Sequence, residues 1–251
     1  MSTFRSEPQA LLGKSALVVG VGGLGCPAAL ALVRAGVGRV VLCDDDTVEL
    51  TNLHRQILFG ELDIGADKLE AARNTLARRG ARPEGLSLVR SRLLPQNARS
   101  LVASVDIVVE GADNFATKFL CADACRLAER PVVHGAGIRW QATAWAVSAH
   151  GLPCYRCLFE DVPAAAAQPN CAEAGVIAPV VGLCGALMAD LALRILTNDS
   201  SAFGTLLSYD GKADRLRAVE VRPRQSCPLC GPERTICDID ESRYTAPSCA
   251  A

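Results

Sequence analysis

From residue 15 to residue 136 short, continuous apolar runs alternate with longer stretches of helical period. Ala16–Gly20 reads as a buried strand, and Cys26–Ala35 as a helix that ends near Gly36. Arg39–Asp44 is a second strand, and Ala66–Arg79 an amphipathic helix stopped at Gly80. Leu86–Val89, Asp106–Glu110 and Pro131–Gly135 read as three further strands, separated by helices around Gln96–Ala103 and Asn114–Glu129. Runs apolar on both faces, each followed by a helix, predict parallel strands joined by right-handed crossovers, hence a doubly wound α/β sheet.

Beyond Gly135 the pattern changes. Trp140–Ser148 predicts an antiparallel strand, and Ala178–Thr197 a long helix. Leu206–Tyr209 and Arg217–Val221 flank Asp210-Gly211-Lys212, which predicts a hairpin. This divides the chain into one domain over residues 1–231, with a doubly wound half at 15–136 and a second half at 137–231. Residues 232–251 are polar and aperiodic, and are expected to form a flexible tail.

Composition narrows the class. The net charge of −1 excludes a general nucleic-acid or anionic-membrane binder. The N-terminus lacks a basic segment followed by an apolar core, so a cytoplasmic location is expected. The most apolar stretch, Val176–Leu196, carries Asp190 and Arg194 and reads as a core helix, not a membrane span. Twelve cysteines without a secretory signal point to metal ligation or thiol chemistry before disulfides.

The strand-to-helix junction carries Gly20, Gly22, Gly23 and Gly25 in a G-x-G-x-x-G frame. Such a turn lets backbone N–H groups and a helix N-terminus approach phosphate oxygens. Asp44, nineteen residues after Gly25, is placed to accept ribose hydroxyls. These features alone would suit an NAD-dependent oxidoreductase. The following segment argues against it, because Asn52, Arg55, Gln56 and Lys68 add polar and cationic groups that suit a triphosphate better than a nicotinamide. Asp113-Asn114 after the fourth strand fits a helix N-cap, and a carboxylate there is also well placed to hold Mg²⁺.

Cys154-x-x-Cys157 and Cys227-x-x-Cys230 supply four thiolates, enough for one tetrahedral structural site that would staple the C-terminal part onto the main domain. Redox pairs, or two unrelated pairs, are the alternatives. Cys171 falls in a predicted loop before the long helix, where it is an inert thiol or a nucleophile; Cys26, Cys43, Cys121, Cys125 and Cys184 sit in strand or helix patterns and read as packing.

Taken together, GVGGLGCPAAL, DDDTVELTNLHRQILF, the lysine of GADKLEAAR, GADN, PCYRCLF, NCAEAGVIAPVVG, YDGK and CPLC resemble, in family order, the ThiF/MoeB/HesA family of prokaryotic ubiquitin-activating-enzyme relatives. ThiF is the nearer pattern. The resemblance implies a Rossmann-like, mostly parallel sheet with an antiparallel C-terminal extension and a structural zinc clamp at Cys154, Cys157, Cys227 and Cys230. It implies ATP-dependent adenylation of the C-terminal glycine of a ubiquitin-like sulfur carrier ending in Gly-Gly, by a homodimer served by a sulfur donor such as a cysteine desulfurase or rhodanese. A MoeB-like activation of a molybdopterin synthase subunit is the alternative, followed by a non-catalytic scaffold. By position, the glycine turn would wrap the phosphates and Asp44 hold the ribose. Asn52, Arg55 and Lys68 would stabilise the transition state, Asp113 bind Mg²⁺, and Cys171 act in later sulfur transfer. The family's N-terminal R-Y-x-R-Q segment has no counterpart around Arg5, which leaves the source of that charge open.

Overall fold

The computed structural model describes residues 8–163 and 175–244. After a short helix α1 (Pro8–Leu12), the first half runs β1 (Ser15–Val19), α2 (Gly25–Ala35), β2 (Arg39–Asp44), α3 (Lys68–Arg78) and β3 (Leu86–Arg90). It continues through α4 (Pro95–Ala103), β4 (Ile107–Glu110), α5 (Phe115–Leu127) and β5 (Val132–Ile138). The second half holds β6 (Gln141–Val147), a single turn α6 (Tyr155–Leu158), α7 (Ala178–Leu196), β7 (Thr205–Asp210) and β8 (Arg215–Glu220).

All eight strands form one sheet in the order β3-β2-β1-β4-β5-β6-β7-β8. The first five are parallel, and β6 to β8 continue the sheet antiparallel. The strands were legible because β1, β2 and β4 are apolar on both faces and buried almost throughout. The expected α/β class and antiparallel extension match this architecture.

Each face of the sheet carries its own core. On one side Leu24, Leu32, Leu69, Leu76, Val181 and Met188 bring α2, α3 and α7 onto the strands. On the other, Val102, Phe119, Leu120 and Trp145 join α4 and α5 to the sheet, and Tyr155, Leu229 and Ile236 extend that core. Helix α7 is long and apolar enough to cross a membrane, with mean hydropathy 1.7. Here Val180, Cys184, Met188 and Leu191 are buried by packing on β5, β6 and α2. The cysteines at 26, 43, 121, 125 and 184 are all buried and unbridged, as packing residues.

The expected tail starts too early. Residues 232–244 pack onto the protein: Ile236 and Tyr244 are buried in the second core, and Tyr244 Oη donates to Asp123 Oδ2 at 3.0 Å. Asp123 in α5 is fully buried and holds Arg156 of α6 in two hydrogen bonds of 2.8 and 2.9 Å. A polar, aperiodic segment is therefore fixed by two apolar anchors and one charge-assisted hydrogen bond, none of which has a periodic signature.

Removing that hydroxyl tests the anchor. Tyr244→Phe leaves a buried carboxylate one donor short, and is expected to cost about 1.5–3 kcal/mol in urea denaturation. Unchanged stability would show that the segment does not lean on Asp123.

Candidate active site

Helices α2 and α5 leave β1 and β4 towards opposite faces of the sheet, so a crevice opens between the C-terminal ends of these neighbours. A cavity of about 740 Å³ occupies it. This size suits a nucleotide with part of a second reactant.

Its floor is the glycine turn. Gly20 has φ +82°, a left-handed conformation that a side chain disfavours. A Cβ on Gly25 would lie 1.9 Å from the Gly20 carbonyl oxygen, so only glycine lets α2 start this close to the strand. Asp44 fastens the turn to β2: its Oδ2 accepts from Val21 N–H at 2.6 Å and its Oδ1 from Asp46 N–H at 2.9 Å. Val21 and Asp46 thus hold the carboxylate still, with lone pairs left over for sugar hydroxyls.

The excursion over residues 45–67 returns to the same spot. Val48 N–H bonds Ala66 O at 2.9 Å, Gly65 N–H bonds Val48 O at 2.8 Å and Lys68 N–H bonds Asp46 O at 3.1 Å. This backbone zipper sets Lys68 as the first residue of α3, capped by Asp67, with its ammonium 3.0 Å from Asp46 Oδ2. Lys68 is buried although it is a lysine, and it lines the cavity. Arg55 lies beside Gly23, its guanidinium braced by Asn52 Oδ1 at 2.6 Å. Gln56 is buried, its Oε1 has no partner among the described residues, and it also faces the cavity.

Of the residues singled out in the sequence, Gly20, Gly22, Gly23, Asp44, Arg55, Gln56, Lys68, Asp113 and Asn114 line this cavity. Gly25 and Asn52 stand behind it, one packing the helix start and the other steadying Arg55. Asn114 caps α5 by accepting from Thr117 N–H at 2.9 Å, which leaves the exposed Asp113 carboxylate at the rim. Cys171 lies outside the described residues.

Sequence reasoning missed a buried ionic group on the far wall. Glu110, fully buried at the end of β4, takes two hydrogen bonds from Lys118 Nζ at 3.0 and 3.1 Å. It takes a third from Ala112 N–H at 2.7 Å and sits 3.0 Å from His134 Nδ1. Burial opposes ionisation of Glu110, but Lys118 and His134 outweigh it and hold the carboxyl below its usual range. Burial lowers the His134 pKa and outweighs the Glu110 contact, which favours the neutral ring. A carboxylate only accepts, so Nδ1 carries the proton and Nε2 is left as an acceptor. The available signal was an ionisable residue at or near the end of each of two apolar strand runs, Glu110 and His134.

The four clamp cysteines converge on the α5 side of the sheet. All four Sγ atoms lie within 4.8 Å of one another, with separations of 3.4, 3.4 and 3.9 Å for three of the pairs. A tetrahedral ion with bonds of about 2.3 Å sets its sulfurs about 3.8 Å apart, so the cluster fits Zn²⁺. Arg224 N–H points at Cys157 Sγ from 3.3 Å, the kind of backbone donor that supports a bound thiolate.

Comparison with known proteins agrees with this geometry. The ThiF family model matches residues 2–229. The adenylyltransferase and sulfurtransferase MOCS3 of Anopheles gambiae is 39% identical over 88% of this chain and 51% of its own length. The SAMP-activating enzyme E1 of Haloferax volcanii is 38% identical over 96% of this chain and 88% of its own. The chain thus spans about half the length of the MOCS3 relatives it matches. Among solved structures, E. coli MccB bound to MccA-N7isoASN superposes with a TM-score of 0.78 at 22% identity, over 89% of this chain and 68% of that one. At that identity the match concerns the fold.

The ionic group is open to direct test. Lys118→Met strands a buried carboxylate and is expected to lower stability by about 3–5 kcal/mol in urea denaturation. Adding Glu110→Gln should restore part of the loss, and an undiminished Lys118→Met protein would contradict the pairing.

Proposed function

The chain belongs to the ThiF family, and from that premise we propose that it adenylates the C-terminal glycine carboxylate of a ubiquitin-like carrier protein ending in Gly-Gly, with release of pyrophosphate. The observation that carries the reading is the meeting of glycine turn, Arg55, Lys68 and Asp113 around one cavity at the switch point of the sheet.

In this reading the ribose sits on Asp44, and the phosphates lie across Gly22 and Gly23 at the N-terminal end of α2. A carrier carboxylate oxygen attacks the α-phosphorus, the bond from that phosphorus to the bridging oxygen breaks, and pyrophosphate leaves with the electron pair. Arg55 and Lys68 offset the charge that develops on the leaving group, and both are held in place before substrate arrives, so little reorganisation is needed. Asp113, exposed at the rim, is the residue that would hold Mg²⁺, whose charge neutralises the polyphosphate. No protein nucleophile is required for this step. Cys171 is reserved for the sulfur transfer that follows, fed by a persulfide-carrying donor such as a cysteine desulfurase or rhodanese.

Zn²⁺ at Cys154, Cys157, Cys227 and Cys230 has a structural role, with no position left for a reactant. A reducing, cytoplasmic setting suits ten free cysteines among the described residues. Leu50, Ile57, Leu62 and Ile64 are each exposed on the excursion over residues 45–67, and would suit a homodimer contact.

Carrier-dependent exchange of labelled pyrophosphate into ATP measures the reaction. Lys68→Ala and Asp113→Ala are each expected to lower exchange about 10²–10³-fold with thermal stability kept, whereas Cys171→Ala should exchange like the parent. Full activity in the Lys68 or Asp113 variant would overturn its role. One zinc per chain is expected by metal analysis, falling to none in Cys227→Ser with a lower Tm; zinc retained there would refute the clamp.

A further inference from the structure

Two of the buried polar atoms left without a partner belong to rings that line the cavity yet take no part in the adenylation machinery. Among the described residues His134 Nε2 and Trp145 Nε1 have no hydrogen-bond partner, although His134 is 4% exposed and Trp145 2%. A buried donor or acceptor left unmade costs free energy, so each such atom needs a reason. Both rings line the cavity. They are also directly opposed across the antiparallel β5–β6 pair, which places the two side chains on the same face of the sheet as neighbours.

The two atoms are chemically complementary. The Glu110 carboxylate fixes the proton of His134 on Nδ1, so Nε2 is a pure acceptor, while indole Nε1–H is a pure donor. Apart from the Glu110–Lys118 pair on which His134 rests, the surroundings are apolar and aromatic. Tyr155 lies 4.7 Å from the His134 ring and 4.8 Å from Phe159, and Phe115 is 6.5 Å beyond. Leu206 is registered opposite Trp145 and also lines the cavity. An ionised carboxylate would meet the Nε2 lone pair, and an ammonium would meet the indole N–H. A neutral group with its own donor and acceptor satisfies both.

The sheet order says which reactant brings that group. Asp44 ends β2, the glycine turn follows β1 and Asp113 follows β4, so the nucleotide occupies the β2–β1–β4 stretch of the rim. His134 on β5 stands three strands from β2, about 14 Å away, and Trp145 is one strand further. That end of the cavity is left to the acyl substrate. We propose that His134 Nε2 and Trp145 Nε1 form a recognition pair for an uncharged amide of the carrier's C-terminal segment, a peptide unit or a side-chain carboxamide, seated between the aromatic rings. The inference rests on the adenylation reading above for the identity of the carrier.

The sequence has two tryptophans, so Trp140→Phe leaves Trp145 as the sole indole. In that protein, a ubiquitin-like carrier ending in Gly-Gly is expected to shift or quench the emission, and MgATP alone is not. In a separate variant, Trp145→Phe keeps a ring and removes only the donor. The KM for carrier in pyrophosphate exchange should rise about three- to tenfold, the worth of one neutral hydrogen bond, with the KM for ATP unchanged. A response to MgATP alone, or a raised KM for ATP, would place the adenine base there and overturn the proposal. Silent emission with an unchanged carrier KM would also overturn it. If the parent chain shows no exchange with any carrier, the adenylation reading fails, while the emission titration still decides whether the pair meets a carrier. Should Trp145→Phe fail to fold, that titration alone is decisive.

Discussion

Neighbouring parallel strands whose following helices leave towards opposite faces cannot cover the edge between them. In this chain that gap lies between β1 and β4, and everything chemical is gathered along it. The glycine turn closes one side because Gly25 sits against the Gly20 carbonyl. Asp44 ties the turn to the next strand through Val21 N–H. The loop from residue 45 to residue 67 then zips back to deliver Lys68. Each device is local, but each works only because the strand order brings its anchor to the same rim.

The antiparallel extension completes the cavity. β5 runs past the end of β4, so residues 135–138 overhang the crevice and pair with β6. Gly135 and Gly137 keep that overhang thin: a Cβ on Gly135 would meet Met188 at 2.1 Å, and one on Gly137 would meet Val181 at 2.9 Å. On the opposite face His134 and Trp145 project into the aromatic wall. One face of β5 is therefore shaped by the long helix, and the other by the turn that carries the first cysteine pair.

How much of this could be read beforehand depended on whether the signal was periodic or spaced. Runs such as Arg39–Asp44 are continuous and apolar, and the strand has the bounds expected of it. The glycine frame and the two C-x-x-C pairs depend on fixed spacing, and their residues do converge. The rest was hidden for physical reasons. Glu110, Lys118 and His134 come from three elements and meet only after the sheet forms, so no local pattern marks their pairing. Tyr244 and Ile236 are single anchors in a polar stretch, which reads as a tail until Asp123 and the second core are in place. Asn52 has the right character for a phosphate contact, but its side chain is engaged with Arg55.

The central claim is that this rim activates a carboxylate at the α-phosphorus of ATP. Carrier labelled with ¹⁸O in its C-terminal carboxylate, incubated with the protein, MgATP and a thiol to capture the acyl group, tests that claim most directly. Attack at the α-phosphorus places one ¹⁸O in the AMP released. Label in inorganic phosphate, with ADP as the nucleotide product, would contradict the account.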